Sequence, residues 1–262
     1  MDTKIILKKN LKKPNKPIVI VGLPGIGNVG KLVAEHLRRE LKAERIGTIY
    51  SKHFPHQAIM LKNGKLRLVN NSLYLARARS KNAKDIIILT GDVQAVTPEG
   101  QYEVNSKIFN FLKKEMKCSF IYTVGGYSTG PEPVRGQPRV FANATSDNVI
   151  KTFKDTGIVF GKSRGLIYGS AGLIIAFARM RKVDGICLMG ETSFLEIDAG
   201  AAKAVIVELS KVLDIKVNTD NLDKIIKQTA QIMKQMEMHP EGGITLPLPP
   251  QEGGDRRPSY IR

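Results

Sequence analysis

The sequence predicts an α/β fold: a three-layer α/β/α single domain with a mostly parallel, partly mixed sheet, followed by a flexible C-terminal tail. Short apolar runs rich in β-branched residues alternate along the chain with segments whose apolar residues recur at helical spacing. This alternation is typical of parallel strands joined by helices that cover both faces of a sheet. At 262 residues, 42% of them hydrophobic, the chain is large enough to bury a substantial core.

Seven runs predict strands of the main sheet. The runs at 17–21 (PIVIV) and 85–90 (DIIILT) are almost continuously apolar, as strands buried on both faces are. A β-hairpin is predicted around Asn63 and Gly64, a dipeptide that favours a type I′ turn, with strands at 57–61 and 66–70 that add an antiparallel part to the sheet and make it mixed. The seven predicted strands are residues 3–7 at an edge, 17–21, 45–50, 85–90, 119–124, 139–144 and 185–190.

Five segments with apolar residues at helical spacing predict the helices. The second has a strong start signal, because Thr97 is a favourable N-cap and is followed by Pro and Glu. Asn28 and Asp198 are the predicted N-caps of the first and fourth helices. The predicted helices cover residues 28–41, 97 to about 116, 169–180, 199–213 and a last segment that is capped by Thr219 or Asp220 and ends near 238.

The composition of the chain changes after Met238. Residues 239–262 contain five prolines and four glycines and show neither helical nor strand periodicity, which is typical of a flexible tether. Fully extended, this segment would reach about 80 Å at roughly 3.3 Å per residue. We therefore expect an α/β domain at residues 1–238 and a Pro/Gly-rich tail at 239–262.

The segment VIVGLPGIGNVGK, residues 19–31, contains two nucleotide-binding patterns at once. Gly25, Gly27 and Gly30 form the G-x-G-x-x-G of dinucleotide-binding folds. Gly25 through Lys31 also forms G-x-x-x-x-G-K, a P-loop pattern without its last residue. The segment is therefore either a nucleotide site or a glycine-rich turn between strand and helix.

Each pattern lacks a residue that its chemistry requires. The next predicted strand ends without the acid that binds the ribose of a dinucleotide, although Lys52 after it would suit a 2′-phosphate. The hydroxyl that binds Mg²⁺ in a P-loop is replaced by Leu32. We favour a tight turn whose backbone needs glycine, and keep a nucleotide-binding enzyme using residues 22–31 as the alternative.

Other residues that could carry catalysis do not form a complete set. His53 and His56 offer two imidazoles, but no Cys or pair of acids lies near them in sequence. Glu191, Glu196 and Asp198 follow a buried strand, at the edge where α/β proteins bind ligands, and are equally suited to capping a helix.

Ser128 and the two cysteines also lack the surroundings that an active site would need. Ser128 lies outside any G-x-S-x-G pattern and has no His clearly positioned as its base. Cys118 and Cys187 lie in apolar, strand-like runs, which favours buried free thiols. We therefore predict a protein that is not an enzyme, with no catalytic residues, no metal site and no cofactor.

The formal net charge of +17 raises the question of an acidic partner. The lysines are spread along the chain and no aromatic residues alternate with them, so nucleic acid is the less favoured partner and an acidic protein surface fits as well. No apolar run approaches the roughly 18 residues that span a membrane, and the N-terminus lacks the apolar core of a signal peptide. We expect a cytoplasmic protein without membrane contact.

Several motifs together resemble the proteasome assembly chaperone 2 family, and more narrowly its archaeal, proteasome-activator-like members. These motifs are GLPGIGNVGK, LTGDVQAVTPEGQYEV, YTVGGYSTG and GSAGLIIAFA…GICLMGET, and the resemblance covers roughly residues 15–238. It implies an α/β body similar to phosphorylases and hydrolases, and binding to 20S proteasome α-subunits without ATP.

The resemblance also implies how the protein would bind. Activators of this kind carry a C-terminal hydrophobic-Tyr-any motif whose residues enter pockets between α-subunits. This chain ends in Tyr260, Ile261 and Arg262, so its Tyr is third from the end where the motif has it second. We expect these three residues to bind the pockets. We also expect a homo-oligomer, as a tetramer with pentamer or trimer as alternatives, in which several tails act together.

Overall fold

A computed structural model of the chain describes residues 2–78, 83–130, 132, 134, 136–161, 165–193 and 197–238, with the side chains of the last helix given as far as residue 231. The chain divides into two compact units, Met1–Asn218 and Thr219–Arg262. In the described part of the chain, no helix combines the length and apolar character that a membrane span requires.

The strands of the first unit fall into one large sheet and one hairpin. Within the described residues they are β1 (Lys4–Leu7), β2 (Ile18–Gly22), β3 (Glu44–Tyr50), β4 (Ala58–Met60), β5 (Leu66–Leu68), β6 (Asn71–Ala76), β7 (Ile86–Gly91), β8 (Phe120–Ser128), β9 (Val140–Ala144), β10 (Ile158–Phe160) and β11 (Gly185–Thr192). Nine of these form a sheet in the order β1-β3-β6-β7-β2-β8-β11-β9-β10, and β4 pairs with β5 separately.

The centre of the large sheet is parallel and its flanks are mixed. Strands β7, β2, β8 and β11 lie side by side in parallel. On one side β6, β3 and β1 follow in antiparallel pairs. On the other side β9 is antiparallel to β11, and β10 is parallel to β9. The carboxyl ends of the four central strands therefore share one edge of the sheet.

Helices cover both faces of the sheet, which confirms the predicted three-layer α/β/α arrangement. The helices of the described first unit are α1 (Val29–Glu40), α2 (Pro98–Lys114), α3 (Asp147–Thr152), α4 (Ser170–Met180) and α5 (Ala199–Leu213). Val19 and Val21 share a core cluster with Ile108 of α2 and Ile174 of α4. Ile20, between them on β2, is fully buried on the other face, where α1 packs against β2 and α5.

The predicted helix starts are confirmed at two caps. Thr97 Oγ1 accepts a hydrogen bond from Gly100 N at 3.1 Å, so this side chain satisfies one of the free backbone donors of α2. Asp198 Oδ1 accepts from Ala201 N at 2.8 Å in the same way, and α5 covers the predicted residues 199–213. Asn28 stands at the predicted N-cap position of α1, in the left-handed region at φ 49°.

The hairpin occupies the predicted residues, but β4 and β5 pair only with each other and do not join the large sheet as we expected. Its turn type also differs from the prediction. A type I′ turn needs positive φ at both central residues, whereas Gly64 is at φ 72° and Asn63 is not in the positive region. Gly64 N donates to Leu61 O at 3.0 Å, and Leu61 N donates to Lys65 O at 2.8 Å. The connection is therefore a type I turn followed by a left-handed glycine, the usual three-residue hairpin loop.

Some elements escaped prediction because their sequences lack a clear period. Strand β6 begins with the polar residues Asn71 and Ser72 directly after the hairpin, and α3 has only six residues. Strand β8 continues beyond the predicted end at residue 124, through Gly125 and Gly126 to Ser128, because it pairs with β11 as far as Ser128. Continuous pairing with a neighbour overrides the weak strand propensity of glycine.

The second unit contains one described element, α6 (Asp220–Met238). The amides of Leu222 and Asp223 both donate to Thr219 O, at 2.9 and 3.1 Å, so the helix starts where the sequence predicted. The division of the chain at 218/219 precedes the domain boundary that we predicted at 238/239. The predicted tail, residues 239–262, lies outside the described residues, and the domain assignment stays a prediction.

Candidate functional site

The glycine-rich turn lies at the carboxyl edge of the central strands. It connects β2 to α1, beside the ends of β8 and β11. In open α/β sheets, ligands bind outside the carboxyl ends of the strands. A ligand site of this fold would therefore lie at this edge, next to the glycine-rich turn.

The glycines of this turn allow two backbones to touch. A Cβ on Gly30 would lie 2.4 Å from Val124 O, and a Cβ on Gly22 would lie 2.0 Å from Gly30 O. Any side chain at either position would collide with main chain. Gly27 adopts φ 60°, a region that glycine enters without strain. The glycines thus seat the start of α1 directly on β2 and β8, which supports the interpretation as a packing turn.

Carbonyl oxygens of the turn are held by hydrogen bonds from its neighbours. Gly27 O accepts from Asp198 N at 2.8 Å. Pro24 O accepts from Gln94 Nε2 at 2.6 Å, while Gln94 Oε1 accepts from Ser170 N at 2.9 Å. The side chain of Gln94 therefore joins the turn to the first residue of α4. The sequence analysis did not identify this role, although the position of Gln94 in the loop that follows the central strand β7 was a signal for it.

Three positions considered for a nucleotide site, Leu32, Lys52 and Asp92, do not offer the groups that such a site would use. Leu32 is half-buried on α1 and carries no hydroxyl for a metal ion. Lys52, considered for a 2′-phosphate, forms an ion pair with Asp2 at 3.5 Å. Asp92, after β7, accepts two hydrogen bonds from the Arg67 guanidinium at 2.5 and 3.0 Å. None of these contacts supports the nucleotide-binding alternative.

The predicted acidic candidates serve structural contacts. Glu191, buried at the end of β11, accepts hydrogen bonds from Arg139 N at 3.0 Å and from its guanidinium at 2.8 and 2.5 Å. These bonds hold the pKa of Glu191 below its ordinary value, although burial acts in the opposite direction. Asp198 caps α5 and also accepts from Thr192 Oγ1 at 2.6 Å. Glu196 lies outside the described residues.

The remaining candidates are not brought together. His53 Nε2 lies 2.7 Å from Glu103 Oε2, and neither residue belongs to the glycine-rich turn. His56 is exposed. Ser128 Oγ accepts from Gly130 N at 3.4 Å. Among the described residues, no group of three or more His, Cys, Asp or Glu is arranged to hold a metal ion.

Both cysteines are free, as predicted. Cys187 is fully buried in β11 and Cys118 is partly buried. Burial raises the pKa of each thiol to about 11. A thiol with so high a pKa carries almost no thiolate at neutral pH, so neither cysteine is a poised nucleophile.

A cleft of about 510 Å³ opens beside the glycine-rich turn. Its walls come from the turn, from the ends of β8 and β11, and from residues 165–171 at the start of α4. Its lining is largely apolar, and three large apolar side chains at its rim are exposed: Ile26 at 48%, Leu166 at 78% and Tyr168 at 82%. Exposed apolar groups grouped around a cleft are typical of surfaces that contact other proteins.

The sequence profile of the PAC2 family matches residues 19–237. The chain belongs to the PAC2 family. An uncharacterized protein of Methanocaldococcus jannaschii is 34% identical over 240 residues, which are 91% of this chain and 90% of that protein. PAC2 membership agrees with the motifs that carried the resemblance, since the matched segment includes all of them.

Two solved structures from Pyrococcus furiosus share the PAC2 fold of this chain. The first is PbaB, described as an archaeal proteasome activator: it is 36% identical, with a TM-score of 0.84, and the match covers 90% of this chain and 99% of PbaB. The second is PbaA, described as an archaeal homolog of proteasome-assembly chaperone: it is 24% identical, with a TM-score of 0.75, and the match covers 92% and 94%. At that identity PbaA shows the fold alone.

Proposed function

We propose that this protein is an ATP-independent proteasome assembly chaperone or activator that binds 20S proteasome α-subunits through its C-terminal tail. The observation that carries the proposal is the similarity to PbaB, which extends over nearly the whole of both chains at 36% identity. A family of the chaperone and activator type also favours a protein that is not an enzyme. The contacts of the glycine-rich turn agree with a role that does not use ATP, because its glycines serve backbone packing.

The proposed binding residues are Tyr260, Ile261 and Arg262, which lie outside the described residues. A Pro/Gly-rich tether without a core of its own can deliver a Tyr side chain and the terminal carboxylate to a distant pocket. A carboxylate and an amphipathic ring are groups that recognition pockets for chain ends commonly bind. Since the Tyr is third from the end, its ring enters the pocket one residue further from the carboxylate than in the usual motif.

A single tail of this kind binds weakly, so self-association belongs to the proposal. If several copies present their tails to one ring of α-subunits, avidity increases binding by factors of about 10² to 10⁴. The exposed apolar rim of the cleft, formed by Ile26, Leu166 and Tyr168, supports a protein that works through protein contacts. We expect a homo-oligomer, with a tetramer as the first candidate and a pentamer or trimer as alternatives, in the cytoplasm.

Removal of the last three residues tests the proposal directly. We expect deletion of residues 260–262 to abolish capture of purified 20S proteasome in a pull-down without ATP. Deletion of residues 251–253 is the matched control, because it shortens the tether equally and keeps the terminal sequence. Equal capture by the full chain and the 260–262 deletion would refute tail binding. Light scattering after size-exclusion chromatography gives the number of subunits and shows whether both deletions keep it.

A further inference from the structure

A second depression, of about 310 Å³, lies on the α1 side of the sheet. It is formed by α1, by the outer strands β3 and β6, and by the end of β7. We call it the basic groove. Alternation along the strands explains its floor: Leu73 and Leu75 of β6 point into the core cluster, so Ser72 and Tyr74 face the groove.

The wall of the basic groove is one face of α1. Lys31, Glu35 and Arg38 are spaced four and three residues apart, which places them along the same side of a helix. Arg38 lies over the ring of Tyr74, at 5.0 Å from its centroid. Arg45 of β3, whose register partner is Tyr74, adds a further cation. Cationic side chains from the helix and from the strands therefore line the same groove.

Two of the four cations in the groove are paired, and two are not. Arg38 pairs with Glu35 at 2.8 Å, and Arg67 pairs with Asp92 at 2.5 Å. Across the described residues, Lys31 and Arg45 have no ion-pair partner. Each of the two carboxylates is paired with an arginine, and the charge of Lys31 acts on Asp92 without forming an ion pair. With four cations and two carboxylates, the groove has an excess of positive charge.

The floor of the groove also contains a polar group without a partner. Thr90 of β7 is 1% exposed, and its Oγ1 has no hydrogen-bond partner among the described residues. Buried hydroxyls are nearly always hydrogen-bonded, since leaving one unpaired costs about 1 to 3 kcal/mol. The neighbouring hydroxyl of Ser72, the register partner of Thr90, already donates to Asn70 Oδ1 at 3.2 Å. Thr90 therefore remains available as a donor to a bound group.

We propose that the basic groove binds a compact anion, phosphate or carboxylate in kind, between Lys31, Arg45 and the hydroxyl of Thr90. The two unpaired cations supply the charge, and Thr90 supplies a directional donor at the floor. Since that hydroxyl is shielded from solvent, the anion reaches it by displacing a long side chain of the wall. The groove consists of residues of the first unit, so it is independent of the tail that the proposed function uses.

Calorimetric titration of the full-length protein with inorganic phosphate, and separately with malonate, tests this site and distinguishes the two chemistries. The background is chloride at matched ionic strength. We expect saturable binding of at least one anion, weakened at least tenfold in the double variant Lys31→Gln/Arg45→Gln. The matched control is Lys107→Gln/Lys114→Gln, which removes the same charge from exposed positions of α2 on the opposite face and should bind as the wild type does.

A second variant tests the floor without changing the charge. Thr90→Val keeps the shape of the side chain and removes its unpaired hydroxyl, so we expect unchanged or slightly higher thermal stability with binding three- to tenfold weaker. Circular dichroism confirms that each variant is folded. Absence of saturable binding with both anions, or equal weakening in the charge variant and its α2 control, would overturn the proposal. Wild-type affinity in Thr90→Val would remove Thr90 from the site.

Discussion

The carboxylate of Glu191 accepts two hydrogen bonds from the guanidinium of Arg139, at 2.8 and 2.5 Å. A third, from Arg139 N, joins the same carboxylate to the residue before β9, and Glu191 N donates to Arg139 O at 2.8 Å in return. The pair fastens the antiparallel strand β9 to the end of β11. An acid at the carboxyl edge of an α/β sheet is here a fixed structural partner.

This pair should make stability depend on pH in a defined direction. The pKa of Glu191 is lowered in the folded state, so its contribution is complete above the ordinary glutamate pKa of about 4.3 and is lost as the pH falls through the lowered value. Glu191→Gln keeps the shape of the side chain and removes the charge. We expect a lower urea midpoint for this variant at pH 7, and a smaller difference from wild type near pH 3. An equal difference at both pH values would contradict the ion-pair explanation.

Gly30→Ala tests whether the glycine-rich turn is built for close packing. The added Cβ would meet Val124 O at 2.4 Å, and overpacking of this kind costs about 1 to 3 kcal/mol of unfolding free energy. Gly25→Ala, in the same turn, is the control, because its Cβ would have no neighbour closer than 3.8 Å and the residue is extended. In urea unfolding, Gly30→Ala should have a clearly lower free energy of unfolding than Gly25→Ala. Equal stability of both would remove the packing argument.

Asp198→Ala should destabilise the protein by about 1 to 2 kcal/mol. The substitution removes the cap on Ala201 N and leaves Thr192 Oγ1 without its carboxylate acceptor. Asp198→Asn retains an oxygen for the cap and should recover most of the loss. If the Asn variant is as unstable as the Ala variant, the charge of Asp198, and not its capping geometry, is what matters.

Calorimetry with ATP, GTP, NAD and NADP addresses the nucleotide-binding alternative. We expect no binding that depends on the glycine-rich turn, since its glycines contact backbone and Lys52 pairs with Asp2. Any heat that the phosphate groups produce in the basic groove should be lost in Arg45→Gln. Saturable binding that Gly25→Ala weakens would restore the enzyme hypothesis. Arg45→Gln separates the basic groove from the turn in this test, because Arg45 lines only the groove whereas Lys31 belongs to both.

Gel shifts of nucleic acid at two salt concentrations test the nucleic-acid alternative, which rests on the net charge of +17. Affinity carried by lysine–phosphate contacts falls steeply as the salt concentration rises. We expect no gel shift of single- or double-stranded DNA or RNA at 50 mM salt with micromolar protein. A shift at 50 mM that disappears by 200 mM would favour nucleic acid as a partner.

The central elements of the fold were predictable because their signals are local. The apolar runs of β2 and β7 and the cap at Thr97 each depend on a few adjacent residues. The turn type at Asn63 was not predictable, because an Asn-Gly dipeptide suits both a two-residue type I′ turn and a three-residue loop. The hydrogen bond from Leu61 N to Lys65 O decides in favour of the three-residue loop. Strand β6 was missed because it begins with the polar residues Asn71 and Ser72 and depends on pairing with β3 on one side and β7 on the other.

The candidate surfaces were less predictable than the fold, because their residues come together only in three dimensions. Segments far apart in sequence form the basic groove and the cleft whose rim includes Leu166 and Tyr168. The contacts of Gln94 likewise join residues far apart in sequence. The PAC2 motifs identified the family because several of them occur in order. They do not place individual side chains, and the predicted binding residues Tyr260, Ile261 and Arg262 lie outside the described residues.

The two hydrogen bonds of Gln94 have a consequence for folding. Its amide contacts Pro24 and Ser170, which are 70 and 76 residues away in sequence, so both bonds require β2, β7 and α4 to be in place together. The cleft beside Ile26 and Tyr168 therefore exists only in the completed molecule. A partner that recognises this rim would select mature copies over partly folded ones.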